Sequence, residues 1–136
     1  MDKKDLFKLA VEGMKSSYAP YSEYNVGAAL LCKNGNVYKG CNIENASYSV
    51  TNCAERTALF SAIANGEKDF TAICVVGGKN GEITDYAFPC GGCRQALSEF
   101  CDSDFKIFVG KNEDDIKEFT LGDLLPCSFD KSKLGE

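Results

Sequence analysis

A chain of 136 residues, 44% of them hydrophobic, has the size of one domain and enough apolar material for a core of its own. Its formal net charge of −5 and its scattered lysines speak against a nucleic-acid partner, which requires clustered cations to displace condensed counterions. Histidine is absent, which excludes imidazole bases and both Ser/His/Asp and Cys/His triads, and leaves thiolates and carboxylates as donors to any transition metal.

The chain begins Met1-Asp2-Lys3-Lys4-Asp5, without the apolar stretch of a secretory signal, and no later apolar run approaches membrane-spanning length. A cytoplasmic protein with no membrane partner is expected. Leu6, Ala10, Gly13, Met14 and Ser17 recur at helical spacing, which predicts an amphipathic helix ending before Tyr18-Ala19-Pro20-Tyr21. Val26 to Cys32 and Val37 to Gly40, joined through the hairpin dipeptide Asn34-Gly35, predict two antiparallel strands. A turn-rich loop from Cys41 to Thr51 follows.

From Cys53 the pattern becomes helical, with Ala54, Ala58, Ala62 and Ile63 on one face and Asn65-Gly66 as the stop. Phe70 to Val76 is a continuous apolar run, as in a strand covered on both faces. Pro89-Cys90 opens a helix through Phe100, followed by a strand from Phe105 to Gly110 and a weaker one from Ile116 to Thr120. Strands alternating with helices predict parallel pairs with crossover helices beside an antiparallel hairpin. The expected fold class is α/β, a three-layer α/β/α sandwich around a mixed sheet of about five strands. A single catalytic domain spanning 1–136 is expected.

Eight cysteines in a chain that stays in a reducing compartment point to metal binding rather than to disulfides. Cys53-Ala54-Glu55 and Pro89-Cys90-Gly91-Gly92-Cys93 each occupy a predicted helix start. Taken singly, the first is a carboxylate favourable to a helix dipole and the second a redox pair of thioredoxin type. Together, Cys53, Cys90 and Cys93 can hold zinc at three corners of a tetrahedron and leave the fourth to water, which is a catalytic arrangement. Cys32, Cys41, Cys74, Cys101 and Cys127 lack ligand spacing and default to packing, Cys74 in mid-strand, although counting alone leaves a closed four-thiolate site open. Three thiolates overcompensate the charge of the metal. Helix N-termini and Arg56, hydrogen-bonded to the cysteine sulfurs, would draw electron density back, and Glu55 is left to carry protons beside the metal.

These residues stand among others with a familiar order. Tyr18-Ala19-Pro20-Tyr21-Ser22, Val26-Gly27-Ala28-Ala29-Leu30, Gly40-Cys41-Asn42-Ile43-Glu44-Asn45-Ala46, Cys53-Ala54-Glu55-Arg56, Pro89-Cys90-Gly91-Gly92-Cys93-Arg94-Gln95 and Leu124-Leu125-Pro126 followed by Phe129 run through nearly the whole chain. The chain thereby resembles the cytidine deaminase family, in its small homotetrameric branch with three cysteine ligands. The resemblance implies one zinc per subunit and hydrolytic deamination of cytidine and deoxycytidine to uridine and deoxyuridine, as in pyrimidine salvage. Glu55 would take a proton from water, pass it to the ring nitrogen beside the attacked carbon, and finally protonate the leaving amine.

By the same resemblance Asn42 and Glu44 are ribose readers, an amide and a carboxylate able to satisfy sugar hydroxyls between them. Ala54 contacts the base through its backbone, and Tyr24 stands where the family usually has a phenylalanine near the base. Ala46, Tyr48 and Phe129 reach across subunit interfaces, so a homotetramer with shared active sites is implied. Phe88 departs from the small polar residue often found before the proline. Three rivals remain: a deaminase of a blasticidin S type nucleoside, a zinc-stabilised interaction module in which Glu55 is dispensable, and a dithiol redox protein using Cys90 and Cys93.

Overall fold

Asp2 starts the first helix. Its carboxylate accepts the Asp5 N–H at 2.9 Å, and α1 (Lys3–Met14) buries Leu6, Phe7, Ala10, Gly13 and Met14 in the computed structural model, which describes residues 1–135. Ser17, expected on this helix, lies beyond it. The amides of Lys15, Ser16 and Ser17 bond the carbonyls three residues back, so the last turn tightens and unwinds.

Five strands form one sheet in the order β2-β1-β3-β4-β5: β1 (Tyr24–Cys32), β2 (Val37–Cys41), β3 (Phe70–Lys79), β4 (Lys106–Asn112) and β5 (Asp115–Thr120). The expected hairpin is present, with Leu31 opposite Val37 and Gly27 opposite Cys41. The expected parallel pairs reduce to one, β3 with β4, joined through α3 (Gly91–Phe100). The segment between β2 and β3, which contains α2 (Ala54–Ala64), also returns the chain in the same direction. It passes over β1, which lies antiparallel to both neighbours, so β2 and β3 run alike without touching. A short α4 (Leu121–Leu124), outside the sequence expectation, is fixed by a reciprocal capping box between Thr120 and Asp123.

Period-two alternation sorts the sheet into two faces. Ala28, Leu30, Ile73, Val75, Ile107 and Val109 pack beneath α2 and α3 with Ala58, Leu59, Ala62 and Leu97. Ala29, Ala72, Cys74, Val76 and Phe108 pack against Leu6, Phe7, Ala10 and Met14 of α1. The result is the expected three-layer α/β/α arrangement, with β3 covered on both sides and Cys74 fully buried in it.

One close approach positions the site. A Cβ added at Gly40 on β2 would stand 2.3 Å from the Ala54 carbonyl oxygen and 2.6 Å from the Ala58 nitrogen. Only glycine lets the first turns of α2 rest directly on the strand, and Cys53, the residue capping that helix, is located accordingly.

Candidate active site

Both predicted helix starts are real, and they meet. Cys53 is the N-cap of α2 and Cys90 the N-cap of α3, while Cys93 lies in the first turn of α3, fully buried. The Cys53 and Cys90 sulfurs are 3.7 Å apart, those of Cys90 and Cys93 3.5 Å, and all three lie within 4.8 Å of one another. A tetrahedral zinc with Zn–S bonds of about 2.3 Å places its sulfurs roughly 3.8 Å apart. A disulfide would require about 2.05 Å. The donor set therefore fits zinc in both chemistry and spacing.

The electrostatics agree with that fit. Cys53 and Cys90 stand at two helix N-termini, so the positive ends of both helix dipoles lie beside the sulfurs, although neither side chain accepts a capping hydrogen bond. Arg56, one turn into α2, donates from Nη2 to Cys53 Sγ at 3.2 Å, and its Nε is buried with no partner among the described residues. The hydrogen bond from Cys93, joined by Arg56, pulls the Cys53 thiol down to about 5, whereas the Cys93 thiol is raised by its bond to Cys53 and by burial. Sulfurs this close cannot all ionise freely unless a cation compensates them, and a divalent ion supplies that charge.

Glu55 follows Cys53 in the first turn of α2 and is only 4% exposed. Burial pushes its carboxyl up to about 7, and the neighbouring Cys53 charge acts in the same direction. A carboxyl with that affinity can both accept and return a proton near neutral pH.

The loop before α2 reaches the same end of the sheet. Ile43 and Asn52 exchange two backbone hydrogen bonds, of 2.9 and 3.0 Å, so Asn42 and Glu44 stand close in the fold to the residue before Cys53. Asn42 is 8% exposed. Its Oδ1 accepts from Ser17 Oγ and from Val26 N at 3.0 Å, and its Nδ2 donates to the Tyr24 carbonyl at 2.8 Å, leaving one amide hydrogen. Glu44 accepts the amides of Tyr21 and Ser22 at 3.0 and 3.1 Å and the Ser22 hydroxyl, bonds that hold its carboxyl below the ordinary carboxylate value.

Tyr24 opens β1, with its ring over Gly77: a Cβ there would lie 3.2 Å from Tyr24 Cε2. Burial raises its hydroxyl, and the charges of Asp85 and Glu55 act in the same direction. Ala54 is fully buried. Ala46 is exposed, and Tyr48 and Phe129 lie on the surface of the protomer, Tyr48 near the Tyr21 ring at 5.9 Å and the Phe129 carbonyl bonded to Gln95 on α3. A concavity of about 800 Å³ lies elsewhere, between the C-terminal ends of α2 and α3 and the tail, and none of the three clustered thiols lines it.

Sequence reasoning did not single out Ser22 or Ser17 as site residues. Ser22 donates to Glu44 and accepts the Tyr24 amide at 3.0 Å, and Ser17 donates to Asn42 while accepting from Asn25 at 3.0 Å. Ser22 was visible only as part of the Tyr21-Ser22 motif, and Ser17 as one position of a helical pattern.

A family model described as the zinc-binding region of cytidine and deoxycytidylate deaminases matches residues 1–109. The chain belongs to the cytidine and deoxycytidylate deaminase family. It is 48% identical to a cytidine deaminase of Halalkalibacterium halodurans over 129 residues, 95% of each chain. The crystal structure of a cytidine deaminase from Burkholderia pseudomallei, 44% identical, superposes with a TM-score of 0.86 over 95% of this chain and all of that one. At greater distance stands a blasticidin-S deaminase of Bacillus cereus, 30% identical over 94% of this chain and 92% of its own. Membership in this deaminase family accounts for the three-thiol cluster as a zinc site, one ion per subunit.

Proposed function

We propose that this protein hydrolyses the exocyclic amine of cytidine and deoxycytidine, consuming one water and yielding uridine or deoxyuridine and ammonia. The observation that carries the reading is the three-sulfur cluster with its zinc-like spacing, set next to a buried carboxylate poised near pH 7. Cys53, Cys90 and Cys93 would hold the ion. Bound there, zinc supplies Lewis acidity that lets water ionise near neutral pH.

The remaining steps belong to the chain. Glu55 removes one proton from the attacking water and delivers it to the ring nitrogen beside the attacked carbon, then takes the second proton from the hydroxyl now on that carbon and gives it to the departing amine, which leaves as ammonia. Arg56 offsets thiolate charge through its bond to Cys53. Asn42, with its one free amide hydrogen, and Glu44, fixed by the Tyr21 and Ser22 amides, receive the sugar hydroxyls. Tyr24 flanks the base, and the backbone at Ala54 bonds its edge. Ala46, Tyr48 and Phe129 complete the site of a neighbouring subunit in a homotetramer, a role supported by the exposure of both aromatic rings.

The 136 residues act as one catalytic domain, in the cytoplasm, on free nucleosides rather than on nucleic acid or at a membrane. No helix among the described residues is long and apolar enough to cross a bilayer. Higher identity to the cytidine deaminases ranks blasticidin S second as a substrate.

One purified sample tests these points together: bound zinc, loss of cytidine absorbance in the ultraviolet, a parallel assay on blasticidin S, and mass by sedimentation. Zinc near one per chain with cytidine turnover is expected. Turnover of blasticidin S alone would reassign the substrate, and a metal-free active enzyme would remove the basis of the proposal.

A further inference from the structure

The three cluster cysteines are not held in the same way. Cys53 caps a helix whose Ala54, Ala58 and Leu59 are fully buried, and Cys93 is itself fully buried one turn before the core residue Leu97. Cys90, like Cys53 an N-cap whose side chain makes no capping bond, is the exposed one of the three and follows a long connection rather than a buried strand. Its position depends on the segment that delivers it from the end of β3.

That segment is clasped by the β4–β5 hairpin. Tyr86 donates its hydroxyl to Asp115 Oδ1 at 2.5 Å, and the ammonium groups of Lys111 and Lys117 stand 4.8 and 4.5 Å from its ring centroid. Ala87 is buried beside Gly77, where a Cβ would approach it to 3.1 Å. Phe88 meets Phe119 of β5 edge-on, with ring centroids 5.5 Å apart. Pro89 is fully buried, and its carbonyl accepts Arg94 Nε at 2.8 Å while Arg94 Nη1 donates to the Leu124 carbonyl at 2.8 Å. Each of the four residues before Cys90 is therefore fixed, and the first is the one seized by charged partners.

The hairpin is a rigid anchor. It pairs along its length and joins the sheet through β4, whose Ile107 and Val109 lie fully buried in the core. Four extended residues span at most about 14 Å, so a clasp at Tyr86 followed by packed neighbours transmits its position to the Cys90 sulfur with little slack. Without the clasp at Tyr86, the segment would keep only the packing of Ala87, Phe88 and Pro89, with no charged or hydrogen-bonded tie from a side chain of its own, and the exposed ligand would be the first to leave the ion.

We propose that Tyr86, held by Asp115 and flanked by Lys111 and Lys117, is a positioning residue that fixes the Cys90 thiolate for zinc. The inference rests on the reading of Cys53, Cys90 and Cys93 as zinc ligands.

The test measures release of zinc from the loaded protein into excess chelator, followed with a chromogenic indicator, alongside thermal unfolding. Tyr86→Ala should release zinc about tenfold faster than the parent, the lower end of what loss of an outer partner costs a metal site. Tyr86→Phe and Asp115→Asn should accelerate release in the same direction by less, and they decide the matter should Tyr86→Ala fail to fold. Glu67→Gln weakens a contact at the far end of α2 and serves as the control for general destabilisation; its release rate should match the parent. Unchanged release in the folded Tyr86 and Asp115 variants would overturn the proposal, as would equal acceleration by Glu67→Gln. A parent protein that holds no zinc would instead overturn the ligand reading beneath it.

Discussion

Arg56 reaches back over the first turn of α2 and donates to the sulfur of Cys53 at 3.2 Å. A cation hydrogen-bonded to a metal-ligating thiolate takes up part of the charge that the ion would otherwise receive, and so preserves its Lewis acidity. Arg56→Ala should therefore lower kcat by about 10- to 100-fold while zinc stays near one per chain. Steady-state kinetics with metal analysis on the same preparation check this, and an unaltered kcat would remove Arg56 from the electrostatic account.

Glu55 is separated from this pair by its task. Glu55→Gln retains the shape and burial of the side chain but cannot carry a proton, so turnover should fall by about 100- to 10,000-fold with zinc content unchanged. Cys53→Ala, by contrast, should lose the ion. Full activity in the Glu55 variant would refute its proton-carrying role.

The contact beneath α2 yields a prediction about packing. In Gly40→Ala the new methyl would meet the Ala54 carbonyl oxygen at 2.3 Å, an encounter with backbone that no rotamer relieves. The cost should be about 1–3 kcal/mol, measured by denaturant unfolding. Displacement of the helix start should also weaken zinc retention, and a variant as stable as the parent would show that α2 does not depend on this approach.

Glu67 supplies a pH dependence independent of the metal. Its carboxylate accepts from Asn34 at 2.9 Å, Asn36 at 2.8 Å and Tyr38 at 3.0 Å, tying the turn after α2 to the β1–β2 hairpin. Those bonds, Asn36 first, hold its pKa below the ordinary 4.5 in the folded state. A depressed folded value means that the unfolded chain binds the proton more readily, so this contribution is fully present above 4.5 and is lost as pH falls through the lower folded value. Glu67→Gln should melt earlier than the parent at neutral pH, and the gap should close in acid. Thermal melts across that range check the sign, and a gap that widened in acid would contradict it.

Much of this was legible in the chain itself, for identifiable reasons. Asn34-Gly35 and Asn65-Gly66 mark ends that backbone chemistry enforces, and both boundaries fall where the dipeptides put them. The cysteines were legible because ligand spacing at two helix starts is a rare conjunction. The neighbourhood of β1 and β3 was not, because strand alternation reveals which elements exist but not that β1 lies between β2 and β3. Periodicity placed Ser17 on α1, whereas the tightened last turn released it to bond Asn42. Tyr86 had no signal: its significance comes from Asp115, Lys111 and Lys117, which are distant in sequence and adjacent only once the hairpin forms.

The two bonds between Ile43 and Asn52 close residues 44–51 into a noose whose knot lies one residue from Cys53. Residues inside the noose other than Glu44, which Tyr21 and Ser22 also hold, can be exchanged or added while the knot stays tied. Change along that stretch is thus decoupled from the Cys53 sulfur, which keeps its place at the start of α2.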